Sequence, residues 1–111
     1  MKRLLMITIA AAPLALGATA VNAADTFVRM ITGPAGGSWY PYGAKMMEMA
    51  GKQIKGISTS SGPCNGVGNA KNIQKKKAKF GWAFANTAYD AYKGNSKFKK
   101  PHTNLRFFAN L

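Results

Sequence analysis

The sequence predicts an α/β fold, a mostly parallel sheet with flanking helices. Strand-like and helix-like stretches alternate from Thr26 onward, and each of the first three strand-like stretches runs into a turn rich in glycine, hydroxyl or amide groups. Parallel strands need long crossover connections, and a helix is the usual one. A hydrophobic content of 47% is high enough for a globular chain.

Thr26 to Thr32, TFVRMIT, alternates weakly and ends at a glycine loop, as suits a strand of a mostly covered sheet. The loop ITGPAGGSWYPYG, residues 31–43, then feeds a helix. Ser38 is placed to cap it, and Pro41 falls in its first turn, where the backbone N–H has no helical partner anyway. Tyr42, Met46 and Ala50, with Gly43 and Met47 alongside, give one apolar stripe, and Gly51 or Gly56 ends the helix. GISTSSG, residues 56–62, reads as a second short strand. In PCNGVGN, Asn65 or Asn69 caps the next helix, whose narrow apolar face is Val67, Ala70 and Ile73 and whose other face carries Lys71, Lys75, Lys76 and Lys79. FGWAFA, residues 80–85, has the length and apolar continuity of a buried strand. Ala88 to Tyr92 is a short helix stopped at Gly94. GNSKFKKPHTN, residues 94–104, is a basic loop, and LRFFANL reads as a fourth strand.

Residues 1–24 read as a signal peptide. Lys2 and Arg3 precede an apolar run from Leu4 to Leu16, and Val21-Asn22-Ala23 fits cleavage after Ala23 or Ala24. Pro13 interrupts a run already shorter than the roughly 18–20 residues of a membrane span, and no second such stretch follows. The mature chain, residues 25–111, is therefore expected to be exported, without a transmembrane span. Removing 24 of the 111 residues leaves 87, near the size at which a single core is marginal. Small exported domains usually add disulfides, yet Cys64 is the single cysteine and has no internal partner. Together with the uncapped final run, this leads to the expectation that residues 25–111 are the N-terminal part of a longer lobe.

Lys and Arg number 16 against 3 Asp and Glu; the net charge is +13, or +11 without Lys2 and Arg3. Such an excess raises on-rates for anions and attracts polyanions loosely. Much of it lies in KNIQKKKAKF and KGNSKFKKPH, which read as a solvated helix face and a loop.

In an open α/β sheet, ligands settle beyond the carboxyl ends of the strands. Three such junctions are visible: Thr32 to Tyr40, Ser61 to Asn69, and Ala85 to Tyr89. Glycines let backbone N–H groups turn inward and a helix N-terminus adds about half a positive charge, so an anion is the natural guest. Trp39, Tyr40, Tyr89 and Tyr92 offer ring walls and phenolic donors. The loop is neither a Walker phosphate loop, having no Gly-Lys-Ser or Gly-Lys-Thr, nor a dinucleotide fingerprint. Catalysis finds little support. His102 reads as a surface histidine, Asp25, Glu48 and Asp90 have no reason to pair, and Cys64 reads as a small residue packed near a turn. No metal or cofactor is expected.

ITGPAGGSWYPYG resembles the glycine-rich segment near the mature N-terminus of TAXI-type solute receptors, the periplasmic binding proteins of TRAP transporters. FGWAFANTAYDAYKG is similar to a second segment of that family, the more specific of the two, and LRFFANL to the strand after it. The resemblance covers most of residues 25–111 in the same order. It implies the first part of lobe one of a type II periplasmic-binding-protein fold, a small carboxylate or amino-acid ligand such as glutamate, and TRAP membrane permease subunits as partners. By position it places Ser38 and Tyr40 in the ligand-facing glycine loop, Ser61 and Asn65 in the second loop, and Asn86, Thr87 and Tyr89 in the third. The backbone amides of Gly36, Gly37 and Ser38 would hold the carboxylate, with Asn86 and Tyr89 fixing its orientation. Two segments depart from the family: Gly62-Pro63-Cys64-Asn65-Gly66 replaces a Gly-Gly-Ser or Gly-Gly-Gly run, and Lys76, Lys77, Ala78 and Lys79 stand where an acidic sequence is common.

The expected function is thus a periplasmic receptor that captures a small organic anion for a TRAP-type secondary transporter, and not an enzyme. The alternative is a small basic exported module that binds polyanions, resting on the +11 charge. Aromatics lie mostly beside glycines and not among the lysines, so no specific nucleic-acid partner is expected. A secreted enzyme using Cys64 or His102 is a third reading that no motif asks for.

Overall fold

The computed structural model describes residues 25–110; the expected signal peptide and Leu111 lie outside them. The elements run β1 (Thr26–Ile31), α1 (Trp39–Gln53), β2 (Ile57–Gly62), α2 (Gly66–Gln74), β3 (Phe80–Gly81) and α3 (Ala85–Lys93). The three strands form one parallel sheet in the order β2-β1-β3. Thr26 to Ile31 pairs with Ile57 to Gly62, while only Met30 and Ile31 pair with Phe80 and Gly81. The predicted α/β class and its parallel sheet with flanking helices stand.

Burial rises along β1. Thr26 and Phe27 are exposed, whereas Met30, Ile31 and Thr32 are buried. The packed part of the sheet is therefore its carboxyl end, directly beneath the strand-to-helix turns. A second cluster, Ala70, Ala91 and Phe98 with Val67 and Leu105 against it, joins α2 and α3 to the segment after α3.

Helix α1 turns only part of the expected stripe to the sheet. Gly43 and Met47 are buried, whereas Tyr42 and Met46 are exposed. The cause is close approach. A Cβ on Gly43 would overlap the Thr32 methyl, and one on Gly51 would lie 2.7 Å from Thr59 Oγ1. With the backbones this near, Thr59 Oγ1 donates to the Met47 carbonyl across 2.8 Å. The helix runs on through Gly51, which serves contact and not termination. On its outer side Glu48 accepts from Lys52 and Lys45, which hold its carboxyl below the usual carboxylate range. That pairing contributes only above the ordinary carboxylate pKa and fades as pH falls; being exposed, it is weak.

Three further expectations are corrected. The FGWAFA run supplies only a two-residue strand, because the chain leaves the sheet once Trp82 N has bonded the Ile31 carbonyl; Phe80 and Phe84 are exposed. LRFFANL forms no strand over its described residues: Leu105 packs on the second cluster, Phe107 and Phe108 are exposed, and Phe108 meets the Phe80 ring edge-on. With β3 only two residues long, there is no ladder for a fourth strand to extend. His102 is buried, not on the surface. Its ring lies edge-on to Phe98 at 5.0 Å, its Nδ1 faces the Lys100 carbonyl at 2.9 Å, and its N–H bonds the Ala91 carbonyl.

The last correction follows from Gly94. This residue ends α3 in the left-handed region at φ +79, as predicted, and lets residues 95–104 fold back so tightly that a Cβ there would lie 2.6 Å from Lys100 and Pro101 backbone. The basic loop is a strap over α2 and α3.

Candidate functional site

Because the strands are parallel, all three strand-to-helix turns emerge at one rim of the sheet. They are fastened to one another there. Cys64 N bonds the Gly33 carbonyl, and the Thr32 hydroxyl donates to the Gly62 carbonyl at 3.1 Å, joining the first turn to the second. Asn69, on α2 and 1% exposed, donates to the Thr32 and Trp82 carbonyls, each at 2.8 Å, joining the first turn to the third. Sequence reasoning placed Asn69 only as a possible cap. The available signal was an amide beside Gly68 within the stretch that carries the apolar face Val67, Ala70 and Ile73.

Above this tie lies a cleft of about 290 Å³ lined by Gly33, Pro34, Gly37, Ser38, Trp39, Asn65, Gly66 and Phe84. All three turns contribute. Its volume is at the small end of the roughly 300–1,000 Å³ typical of ligand pockets, suiting a small metabolite. The walls are mainly apolar: Trp39 and Phe84 stand 4.8 Å apart at a tilt of 48°, and Trp82 lies behind Trp39 at 6.2 Å. Phe84 was hidden in the run read as a strand; the structure makes it a wall because the chain has already left the sheet.

Two helices begin at this cleft, α1 at Ser38 and α2 at Asn65, and neither has an acidic side chain in its first turn. Their positive ends thus face the space without a side-chain counter-charge. Asn65 caps α2, its Oδ1 accepting from Gly68 N at 2.8 Å. Ser38 occupies the cap position of α1 but caps nothing, contrary to expectation. Its backbone is helical, Tyr40 N already bonds the Gly37 carbonyl, and Pro41 has no N–H to offer. The Ser38 hydroxyl is left for the cleft.

Of the predicted ligand-binding residues, Gly37, Ser38 and Asn65 line the cleft. Gly36 lies on the exposed outer side of the same loop, and Tyr40 is half-buried beyond the lining. Ser61 is half-buried within β2, opposite Met30. Asn86 turns its Oδ1 to Thr87 N at 2.7 Å, so it serves the first turn of α3, and the Thr87 methyl lies against Gly66 behind the wall. Tyr89 points outward, 59% exposed, beneath Lys93. A larger groove, about 380 Å³ between Tyr42, Lys45, Met46, Met49 and Trp82, lies along the outer face of α1. It receives no helix N-terminus and none of the predicted residues. Among the described residues no three His, Cys, Asp or Glu side chains gather as a metal site requires.

The sequence profile of the NMT1-like family matches residues 30–111, from the end of β1 through every later element. The chain belongs to the NMT1-like family. This is a periplasmic-binding-protein-like family, and its membership supports a solute-binding role in general. The three-stranded parallel sheet of this NMT1-like chain is consistent with part of one lobe of that fold. No curated protein matches it. Such proteins are usually exported, and among the described residues no helix is long and apolar enough to cross a membrane.

Proposed function

We propose that this NMT1-like chain is the ligand-holding part of a periplasmic receptor, capturing a small organic anion of the glutamate-like carboxylate class for a TRAP-type secondary transporter. The observation that carries the proposal is the convergence of three turns on one cleft at the carboxyl end of a parallel sheet. Two uncompensated helix N-termini give that cleft a preference for negative charge, and Trp39 and Phe84 give it an apolar wall. The carboxylate lies against the backbone amide and hydroxyl of Ser38, the Gly37 N–H being held by the Pro34 carbonyl at 3.0 Å, while the carbon chain packs against the edge of the ring pair. The chemistry is capture and not turnover. As the resemblance implies, the cleft is one half of a clamshell whose other half belongs to a second lobe, and TRAP permease subunits receive the ligand.

Calorimetry with glutamate, glutamine and small dicarboxylates tests this. At least one should give saturable heat, and Trp39→Ala should weaken it about 10- to 100-fold, the worth of one buried aromatic contact. No heat with any small carboxylate would overturn the reading.

A further inference from the structure

The two lysine runs, remote in sequence, are brought together by the fold. Gln74, the last residue of α2, accepts from Asn104 N at its Oε1 and from Asn104 Nδ2 at its carbonyl, both at 3.0 Å. Lys71 Nζ lies 5.7 Å from the centre of the Phe98 ring. The turn after α2, with Lys75, Lys76 and Lys77, is thereby held next to the strap that carries Lys97, Lys99 and Lys100. All six side chains are exposed. The ion pairs among the described residues are both made by Glu48 on α1, so none of the six is paired there. These lysines follow the C-termini of α2 and α3, whereas the cleft lies at the helix N-termini, so the surface is separate from the site above.

Favourable contact of cations with a helix C-terminus accounts for a lysine in the last turn, but that effect fades within one turn. It does not account for Lys97, Lys99 and Lys100. Lys76 is a stronger hint. It takes φ +58, directly after the C-cap Lys75, where glycine is the residue that fits without strain. The chain keeps a positive charge at a position whose backbone prefers glycine.

We infer that this lysine surface docks the protein on an anionic lipid bilayer, leaving the cleft rim turned away. The charges are ammonium groups on flexible stems, which suit a diffuse layer of mobile headgroups and lack the planar fork that reads phosphates pairwise. The neighbouring Arg106 has its guanidinium engaged with the Thr103 and Leu105 carbonyls. Phe98, the aromatic between the lysines, is 3% exposed, so it offers no face for a base to stack on. The inference does not depend on the identity of the ligand.

The test is co-sedimentation with phosphatidylcholine vesicles containing or lacking about one-third phosphatidylglycerol, using purified chain whose N-terminus has been read by mass spectrometry. Near an anionic surface each lysine contributes about fivefold, so K75Q/K77Q should lower partitioning about 25-fold and K97Q/K99Q/K100Q about 100-fold. K45Q/K52Q removes two charges from α1 and should change it less than threefold. K76G should lower binding about fivefold with an unchanged or higher Tm, which separates docking from folding. Equal losses in K75Q/K77Q and K45Q/K52Q would overturn the inference, as would equal binding to both vesicle types. Tighter binding to a double-stranded DNA oligomer than to the anionic vesicles at the same salt would overturn it too and assign the surface to nucleic acid.

Discussion

Asn69→Asp is expected to leave the chain largely unfolded at neutral pH. The Asn69 Nδ2 donates to the buried Thr32 carbonyl and the part-buried Trp82 carbonyl, each at 2.8 Å. A carboxylate in its place sets a buried negative charge against two carbonyl oxygens and leaves both without a donor. An uncompensated buried charge costs about 3–5 kcal/mol, and a domain this small sits at the low end of the usual ~5–15 kcal/mol of stability. Asn69→Ala should be milder, at about 1–3 kcal/mol, because it also removes Oδ1, a buried acceptor with no partner among the described residues. The sign of the pH dependence follows from burial. The introduced carboxyl has a folded pKa above its unfolded one, so the Asp variant is least destabilised in acid and loses stability as pH rises. Urea denaturation followed by circular dichroism at pH 5 and pH 7 measures both effects. Wild-type curves for both variants would remove Asn69 as the tie between turns.

Gly43→Ala is the second large effect. The added methyl overlaps the Thr32 side chain and comes within 3.1 Å of Trp82 Nε1, at a point where α1 lies directly on the end of β1. Helix propensity favours alanine over glycine by about 1 kcal/mol, whereas overpacking a well-filled site costs about 1–3 kcal/mol. Overpacking is expected to win, because Thr32 is fully buried and held by the Gly62 carbonyl, so it cannot swing aside. A loss of about 2 kcal/mol should appear as a lower Tm, and Gly43→Val should lose more. A rise in Tm for Gly43→Ala would mean that α1 stands further from the sheet.

The alternation of elements and the chemistry of the turns were legible in the sequence because both are local. The helix starts near Ser38 and Asn65 and the stop at Gly94 follow from residues within one turn of each other. What could not be read was decided by neighbours distant in the chain. The buried stripe of α1 was drawn too wide because Tyr42 and Met46 are the more hydrophobic residues, while contact with Thr32 and Thr59 favours Gly43 and Gly51, which have no side chain. Phe84 was taken for a strand residue because an apolar run looks the same whether it enters a core or walls a cleft. His102 was taken for a surface residue because its loop is basic, yet the strap folds back on Ala91 and Phe98. Of the residues placed by turn chemistry and by the resemblance, Gly37, Ser38 and Asn65 lie along the cleft. Asn86 and Tyr89 were not brought to the cleft, because α3 uses the first in its own opening turn and points the second outward.

The three turns form a single anion-holding space. Its most direct measurement is a ¹H–¹⁵N NMR titration of the chain with glutamate and small dicarboxylates. The backbone amides of Gly33, Gly37, Ser38, Trp39, Asn65 and Gly66 should shift together along one saturable curve, with the Trp39 indole moving alongside. Shifts confined to the lysine segments 75–79 and 97–100, or separate curves for separate turns, would contradict it.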